Sequence, residues 1–512
     1  MKKIHIHGDD VISKIDRNIY GHFAEHIGGV YYDGIWVGED SKVPNVNGLR
    51  LEIIEKMKKI NAPVIRWPGG CFAETYDWRD GIGPRENRPT RINWWRNDDG
   101  RYEPNTVGTH EFMEFCRLCG AEAYFAANIT SLTPLDIRDW MDYCNSPAGT
   151  TSYAKLREQN GSREPLGVKY WGVGNETWGG GGNMTAEMYA HEYRKYAVIM
   201  QNTDPKTELI LSGANGDDWR WVRDVLDVTE NSARFMAGMS LHYYCGSAGN
   251  PLSFTEEEWY RQLRQALYIS RIIDRNWGFV VGYGMENHAR LVIDEWGCWH
   301  PGGSGPSSHM KDYGITPAPN NPSGVQNLFE QQSTMRDAMV TALNLNIFNN
   351  NAEKIKMANV AQLVNNLHCL FLAGGEHCIT TPTYHIFDMM KWHQGADALR
   401  ISGDCGKMEI PENGRSYTLP EVSVSASMKD GYLTATVANL SLNTAEDVLL
   451  DAVGLEYTGE AEVYTLTSSD PHDCNTYEEP EKVKLAEKSV TDFDGKLTVP
   501  AFSTVTVRAK IK

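Results

Sequence analysis

Eight short apolar runs alternate with longer helix-patterned stretches between residues 18 and 390. The runs lie near 20–23, 64–67, 121–127, 168–173, 209–212, 239–243, 291–294 and 357–361, and helical spacing marks 49–60, 111–119, 186–201, 256–273 and 327–345. Repeated β-then-α units of this number predict an α/β fold, a (β/α)8 TIM barrel with extended loops. The rival doubly wound sheet usually carries a Gly-rich turn after its first strand, and none follows here.

The texture changes near residue 391. All 15 Trp fall between Trp36 and Trp392, and the remaining tail alternates with period two at 422–428, 432–437, 462–467, 496–499 and 504–508. Asp430-Gly431 between the first two runs is a hairpin turn signal. The tail, 391–512, therefore reads as a β-sandwich of jelly-roll type, with residues 1–17 lending it a strand through the alternation at 3–7.

Composition narrows the partners. With 49 basic and 67 acidic residues the formal charge is −18, which argues against duplex nucleic acid or an anionic membrane surface as a partner. No segment approaches the roughly 18 uninterrupted apolar residues of a membrane span. The first ten residues hold no apolar stretch of the secretory type, so a cytoplasmic protein is expected. Ten Cys are too few for a disulfide scaffold, and the close pair Cys116 and Cys119 has no second pair to complete a zinc site; both read as reduced helix residues.

Barrel chemistry sits at the C-terminal strand ends. There the sequence places Glu25, Arg66 with Cys71, Asn128, Asn175 with Glu176, His242 with Tyr244, Asp294 with Glu295, and Gln362. Glu176 and Glu295 end the fourth and seventh apolar runs, where an unpaired carboxylate is costly to bury. Two such acids facing each other suit glycoside hydrolysis, one donating a proton to the leaving oxygen and one ionised. The same residue types also build metal sites or salt bridges. Trp67, Trp78, Trp94, Trp95, Trp178, Trp296 and Trp299 lie near these ends and offer faces for sugar rings, whereas the mid-strand Trp171 reads as core. Asn175 is placed to bond a sugar 2-hydroxyl, Arg66 and Tyr244 to position the ionised glutamate, and His242 to orient a carboxylate. Gly-Val-Gly-Asn-Glu-Thr at 172–177 lacks the third Gly of a dinucleotide turn, and the Gly run 179–182 lacks the Lys of a phosphate loop. The other His are scattered without metal spacing, so no metal and no cofactor are expected. A polar Gly/Ser/Pro segment, 302–308 with 317–322, reads as a rim or lid.

These motifs together resemble glycoside hydrolase family 51, the α-L-arabinofuranosidases. The matching stretches are Gly-His-Phe-Ala-Glu-His at 21–26, Arg-Trp-Pro-Gly-Gly at 66–70, Asp-Gly-Ile-Gly-Pro at 80–84 and Trp-Gly-Val-Gly-Asn-Glu at 171–176. Ser-Leu-His-Tyr-Tyr at 240–244, Asp-Glu-Trp-Gly-Cys-Trp at 294–299, Met-Ala-Asn-Val-Ala-Gln at 357–362 and Thr-Pro-Thr-Tyr at 381–384 follow in order. The resemblance implies Glu176 as acid/base and Glu295 as nucleophile of a retaining exo-enzyme acting on arabinan- or arabinoxylan-derived oligosaccharides. It implies Glu25, Arg66, Asn175, Tyr244 and Gln362 around the furanose or the nucleophile, with Trp178 and Trp299 lining the subsite. It further implies no cofactor and a homo-oligomer, often a hexamer. Cys71 stands where many members carry Asn, the 295–300 segment is smaller than usual, and the 179–182 loop is less bulky. These departures leave open the preferred glycan, so a β-xylosidase or endoglucanase on the same machinery remains an alternative, and a non-catalytic sugar-binding barrel a more distant one.

Overall fold

The computed structural model describes residues 1–95, 102–246, 248–300, 329–412 and 414–512. The polar segment 302–308 and 317–322 lies outside the described residues.

Eight strands close into a barrel: Gly21–Phe23, Val64–Trp67, Glu122–Ala127, Tyr170–Val173, Glu208–Leu211, Met236–Gly246, Arg290–Trp299 and Ile355–Ala361. Each pairs parallel with the next, and the eighth closes on the first through Asn359 opposite Gly21. Side-chain alternation divides each strand. Val64, Tyr124, Tyr170, Ile210, Val292 and Met357 fill the barrel interior. Ile65, Phe125, Trp171, Leu211 and Ile293 face outward into the larger core under the helices.

The helices Leu51–Lys59, Thr109–Cys119, Ala186–Thr203, Glu256–Gly282 and Met335–Asn350 overlap the periodic stretches, the last starting at Met335 behind its cap Thr334 and not at 327. Pro134–Asn145 and Trp219–Thr229 complete the ring without having been read from periodicity. The first of these carries a start signal: Thr133 caps it in a reciprocal box with Asp136, and Pro134 opens it. Cys116 and Cys119 are buried and free on their helix.

The tail forms one nine-stranded curled sheet. Its order is Ala486–Val490, Tyr457–Leu466, Thr504–Ile511, Tyr432–Asn439, Val422–Lys429, Asp397–Gly403, Lys2–Lys14, Glu446–Val453 and Lys496–Val499. Lys429 lies opposite Tyr432, and Asp430 and Gly431 both take positive φ, as a primed two-residue hairpin turn requires. One face buries Ile4, Ile6, Leu399, Val424, Val437 and Val507 in the sheet's own core. The other face is polar yet buried against the barrel. Asn349 and Asn350 on the helix after strand seven reach Ser425 Oγ and the Val424 carbonyl, and His393 bridges Ser427 and Thr436.

Candidate active site

Strand seven does not alternate cleanly. Leu241 lies opposite Ile293 but His242 opposite Glu295, so Asp294 is an extra residue in the ladder. The bulge lets two consecutive acids both turn toward the barrel axis, where regular pleating would send one outward. Asp294 takes a hydrogen bond from Tyr124 at 3.0 Å and lies 4.0 Å from Arg66 Nε.

Glu295 is buried and heavily served. Arg66 Nη1 donates to Oε1 at 2.7 Å and Tyr244 Oη to Oε2 at 2.7 Å, while His242 Nδ1 lies 3.5 Å from Oε2. Burial alone would raise its pKa, but the His242 and Arg66 charges and the donated hydrogen bonds outweigh it and hold the carboxyl below its ordinary range. Arg66 is fixed in turn by its hydrogen bond to Asn175 Oδ1 and by lying over the Phe23 ring.

Glu176 is presented differently. Strand four ends at Val173, and the chain turns through Gly174 and Glu176, both with positive φ. For Glu176 this is a strained conformation, the kind that persists where surrounding contacts enforce it. The loop 179–182 supplies them: the Gly179 and Gly181 amides both donate to the Glu176 carbonyl, at 2.7 and 3.1 Å. A Cβ on Gly181 would lie 1.5 Å from the Asn175 carbonyl oxygen, and one on Gly180 2.5 Å from Cys71 Sγ. The thin glycine loop is therefore what the turn needs. The Glu176 side chain keeps 21% of its surface open, bonds His242 Nδ1 at 3.0 Å and meets Cys71 Sγ at 3.8 Å.

His242 thus stands between the two glutamates. Burial opposes its charge, yet the carboxylates of Glu295 and Glu176 prevail and raise its pKa. An oxygen of each glutamate and His242 Nδ1 or Nε2 all lie within 4.8 Å of one another. The two carboxylates therefore approach too closely for the roughly 6.5–9.5 Å spacing that leaves room for an inverting water, as double displacement requires.

A small floor adjoins the pair. Gln362 accepts from the Glu25 amide at 2.9 Å and donates to Glu25 Oε2 at 3.0 Å, and the Gly70 and Phe72 amides donate to Glu25 Oε1. Burial pushes the Glu25 carboxyl up to about 7. A Cβ on Gly70 would sit 3.2 Å from Glu295 Oε1, 3.3 Å from Asn175 Nδ2 and 3.5 Å from Glu25 Oε1. Gly70 therefore leaves free the point on which three polar side chains converge. Cys71 closes one side, 3.9 Å from Asn175 Nδ2, its thiol pushed up by burial and by the Glu176 charge.

The tryptophans divide. Trp67, Trp78 and Trp296 are fully buried between barrel and helices, Trp67 stacked on Phe112, so they are core and offer no face to a sugar. Trp94 is 40% exposed, and Trp95, Trp178 and Trp299 are half-buried. Trp299 stands edge-on to Tyr244, whereas Trp178 donates to the Gly213 carbonyl in the neighbouring loop. Sequence reading gave no role to Asp294, Gly70 or Glu74. The paired acids at 294–295 and the paired glycines at 69–70 were visible signals; Glu74 offered none.

Among the described residues, two clusters bring three metal-ligating residues together: Glu176–His242–Glu295 and Cys298–His300–Asp337. In the first, Arg66 and Tyr244 already use the Glu295 oxygens, and the guanidinium opposes a second cation. In the second, His300 bonds Asp337 through Nε2 at 2.8 Å and Arg336 through Nδ1 at 3.4 Å, so both ring nitrogens are engaged. Hydrogen bonds satisfy both sets.

A parallel barrel with two carboxylates brought this close, one just past the end of strand four and one within strand seven, defines a glycoside hydrolase of the retaining type. Family models for the α-L-arabinofuranosidase 1 domain and the α-L-arabinofuranosidase C-terminal domain match residues 56–249 and 294–503. The chain is 36% identical to an intracellular exo-α-L-arabinofuranosidase of Bacteroides ovatus over 98% of its length and 95% of the relative's. It superposes on the GH51 arabinofuranosidase of Xanthomonas axonopodis pv. citri with a TM-score of 0.87, 33% identity and full coverage of both chains. An arabinose complex of the Thermotoga maritima α-L-arabinofuranosidase gives 0.83 at 29% identity, again covering both chains fully. The chain belongs to the family 51 α-L-arabinofuranosidases.

Proposed function

We propose that this protein is a retaining, exo-acting α-L-arabinofuranosidase releasing terminal arabinofuranose from arabinan- or arabinoxylan-derived oligosaccharides, with Glu295 as nucleophile and Glu176 as acid/base. The observation that carries the reading is the pair of carboxylates within 4.8 Å, one buried under two donors and one half-open on a turn. Glu295, ionised, attacks the anomeric carbon while Glu176 passes its proton to the departing oxygen, giving a covalent arabinosyl-enzyme. Glu176 then takes a proton from water, which displaces Glu295 and restores the starting configuration. Glu25, Asn175 and Gln362 hold the furanose hydroxyls above Gly70, and Cys71 bounds that pocket. Tyr244, Arg66 and His242 serve the nucleophile, and Trp299 and Trp178 line the approach. No metal or cofactor enters these steps.

The test is hydrolysis of p-nitrophenyl α-L-arabinofuranoside beside the β-D-xylopyranoside and β-D-glucopyranoside, with proton NMR of the first-formed anomer. Arabinofuranoside turnover with retention, undiminished by a chelator, is expected. Preference for another glycoside would overturn the substrate, and an inverted first product the mechanism.

The protein acts in the cytoplasm as a homo-oligomer, a hexamer in this reading. The name of the Bacteroides ovatus relative and ten free cysteines support a reducing compartment. Among the described residues no helix is long and apolar enough to cross a membrane. Light scattering after size exclusion measures the assembly directly.

A further inference from the structure

Glu74 lies on the 3-10 turn Cys71–Thr75 after strand two, is 0% exposed, and has no part in the steps above. Its carboxylate accepts three backbone amides. Oε1 takes the Asn175 N–H at 2.9 Å, and Oε2 takes those of Ile129 and Thr130, both at 3.1 Å. The Glu74 carbonyl also accepts from Ser131 Oγ at 2.9 Å. The loops after strands two, three and four are thereby tied together at one buried side chain. The last of them is the loop that carries Glu176, one residue beyond Asn175. Its hydrogen-bond partners are peptide amides, not a cation, and burial pushes the carboxyl up to about 7.

A buried carboxylate without a counter-charge is an expensive device for simply filling space. The donor pattern explains why it is a carboxylate. Both oxygens receive N–H groups from opposite sides, so a carboxamide would have to turn its own N–H₂ against Asn175 or against the Ile129–Thr130 pair. An aspartate lacks the methylene needed to span both.

We infer that Glu74 is a positioning residue for the reaction: it holds the strained turn at Asn175 and Glu176 and so sets the direction in which Glu176 delivers its proton. The inference rests on Glu176 being the acid/base. Acid catalysis contributes most where the leaving group is poor, so a misdirected Glu176 leaves a specific kinetic mark.

The test compares wild type, Glu74→Gln, Glu74→Asp and Glu176→Ala on aryl arabinofuranosides of graded leaving-group pKa and on an arabino-oligosaccharide, with concentrations corrected by active-site titration. For Glu74→Gln, kcat/KM should fall roughly 10- to 100-fold on the oligosaccharide and little on the dinitrophenyl substrate. On that activated substrate kcat and KM should fall together, because the impaired base step lets the covalent intermediate accumulate. Glu74→Asp, which keeps the charge, should fall between wild type and Gln. If Glu74→Gln does not fold, Glu74→Asp carries the same readout, and an unchanged leaving-group dependence overturns the inference. An equal loss on every substrate with KM unchanged, or no loss per active site, also overturns it. If Glu176→Ala itself shows no greater dependence on the leaving group, the acid/base assignment fails instead, whatever the Glu74 variants do.

Discussion

Glu295 and Glu176 share one imidazole but live in opposite surroundings. Glu295 rides on a long strand, is 8% exposed at the side chain, and receives an arginine and a tyrosine within 2.7 Å. Glu176 sits past the end of a four-residue strand on left-handed backbone, with 21% of its side chain open and a thiol as its other neighbour. The contrast teaches that identical side chains are given different work by donor supply and access. Charge is fixed where donors converge, and a proton can be exchanged where solvent and leaving group can reach.

Abolishing one side outright gives the largest effect. Glu295→Ala should lower kcat by on the order of 10⁴-fold or more and stop covalent labelling by a mechanism-based arabinofuranosyl inhibitor, read by intact mass. Residual labelling at that peptide would reassign the nucleophile. Glu176→Ala should lose roughly 10²- to 10⁴-fold on substrates with poor leaving groups and far less in the glycosylation of activated ones. Equal losses across the series would erase the distinction between the two glutamates.

A subtler break removes one donor. Because the folded-state pKa of Glu295 is depressed, its ionised form persists below the ordinary carboxylate range, and the acid limb of kcat/KM should lie there. Tyr244→Phe removes a hydrogen bond to the ionised form, so the acid limb should move to higher pH, with roughly a tenfold loss at the optimum. A limb that stays in place would show that Tyr244 does not stabilise the charge. On the opposite flank, loss of the proton that His242 holds between the carboxylates should set activity falling as pH rises above the ordinary histidine range.

The smaller effects sharpen the sugar pocket shared by both sides. Gly70→Ala should raise KM for the arabinofuranoside by roughly tenfold, since the new methyl enters the space between Glu295, Asn175 and Glu25. Cys71→Ser should change kcat/KM by about threefold or less, because the thiol sits at 3.8–3.9 Å from its partners and a hydroxyl preserves the shape. A large loss there would give Cys71 a direct part in catalysis.

How much of this could be read beforehand follows from which signals are local. The eight apolar runs and the strand-end polar residues are short-range patterns, and they located the eight barrel strands and Glu176 past the fourth, although strands six and seven run on through His242, Tyr244 and Glu295 to Gly246 and Trp299. The tryptophans near the strand ends were harder to sort. Whether Trp67 faces a sugar or Phe112 depends on pleat direction, which a four-residue run in a fully buried strand does not reveal. The bulge at Asp294 was hidden for a related reason, since an extra residue is defined only against its partner strands. Helix Met335–Asn350 runs beyond the expected end at 345 because Asn346, Asn349 and Asn350, ordinarily stop signals, spend their side chains on the sheet. Glu74 had no local signature because its partners are peptide groups from two distant loops.

The strand Lys2–Lys14 lies inside the tail's sheet, antiparallel to Asp397–Gly403 and parallel to Glu446–Val453. On the ribosome the first strand is made long before either partner exists, so it must wait, unpaired, while the whole barrel emerges. The sheet is then closed by a segment from the opposite end of the chain, which makes the polypeptide a loop clasped around its catalytic body. Cutting the connection near residue 391 would leave the two parts still joined through this strand.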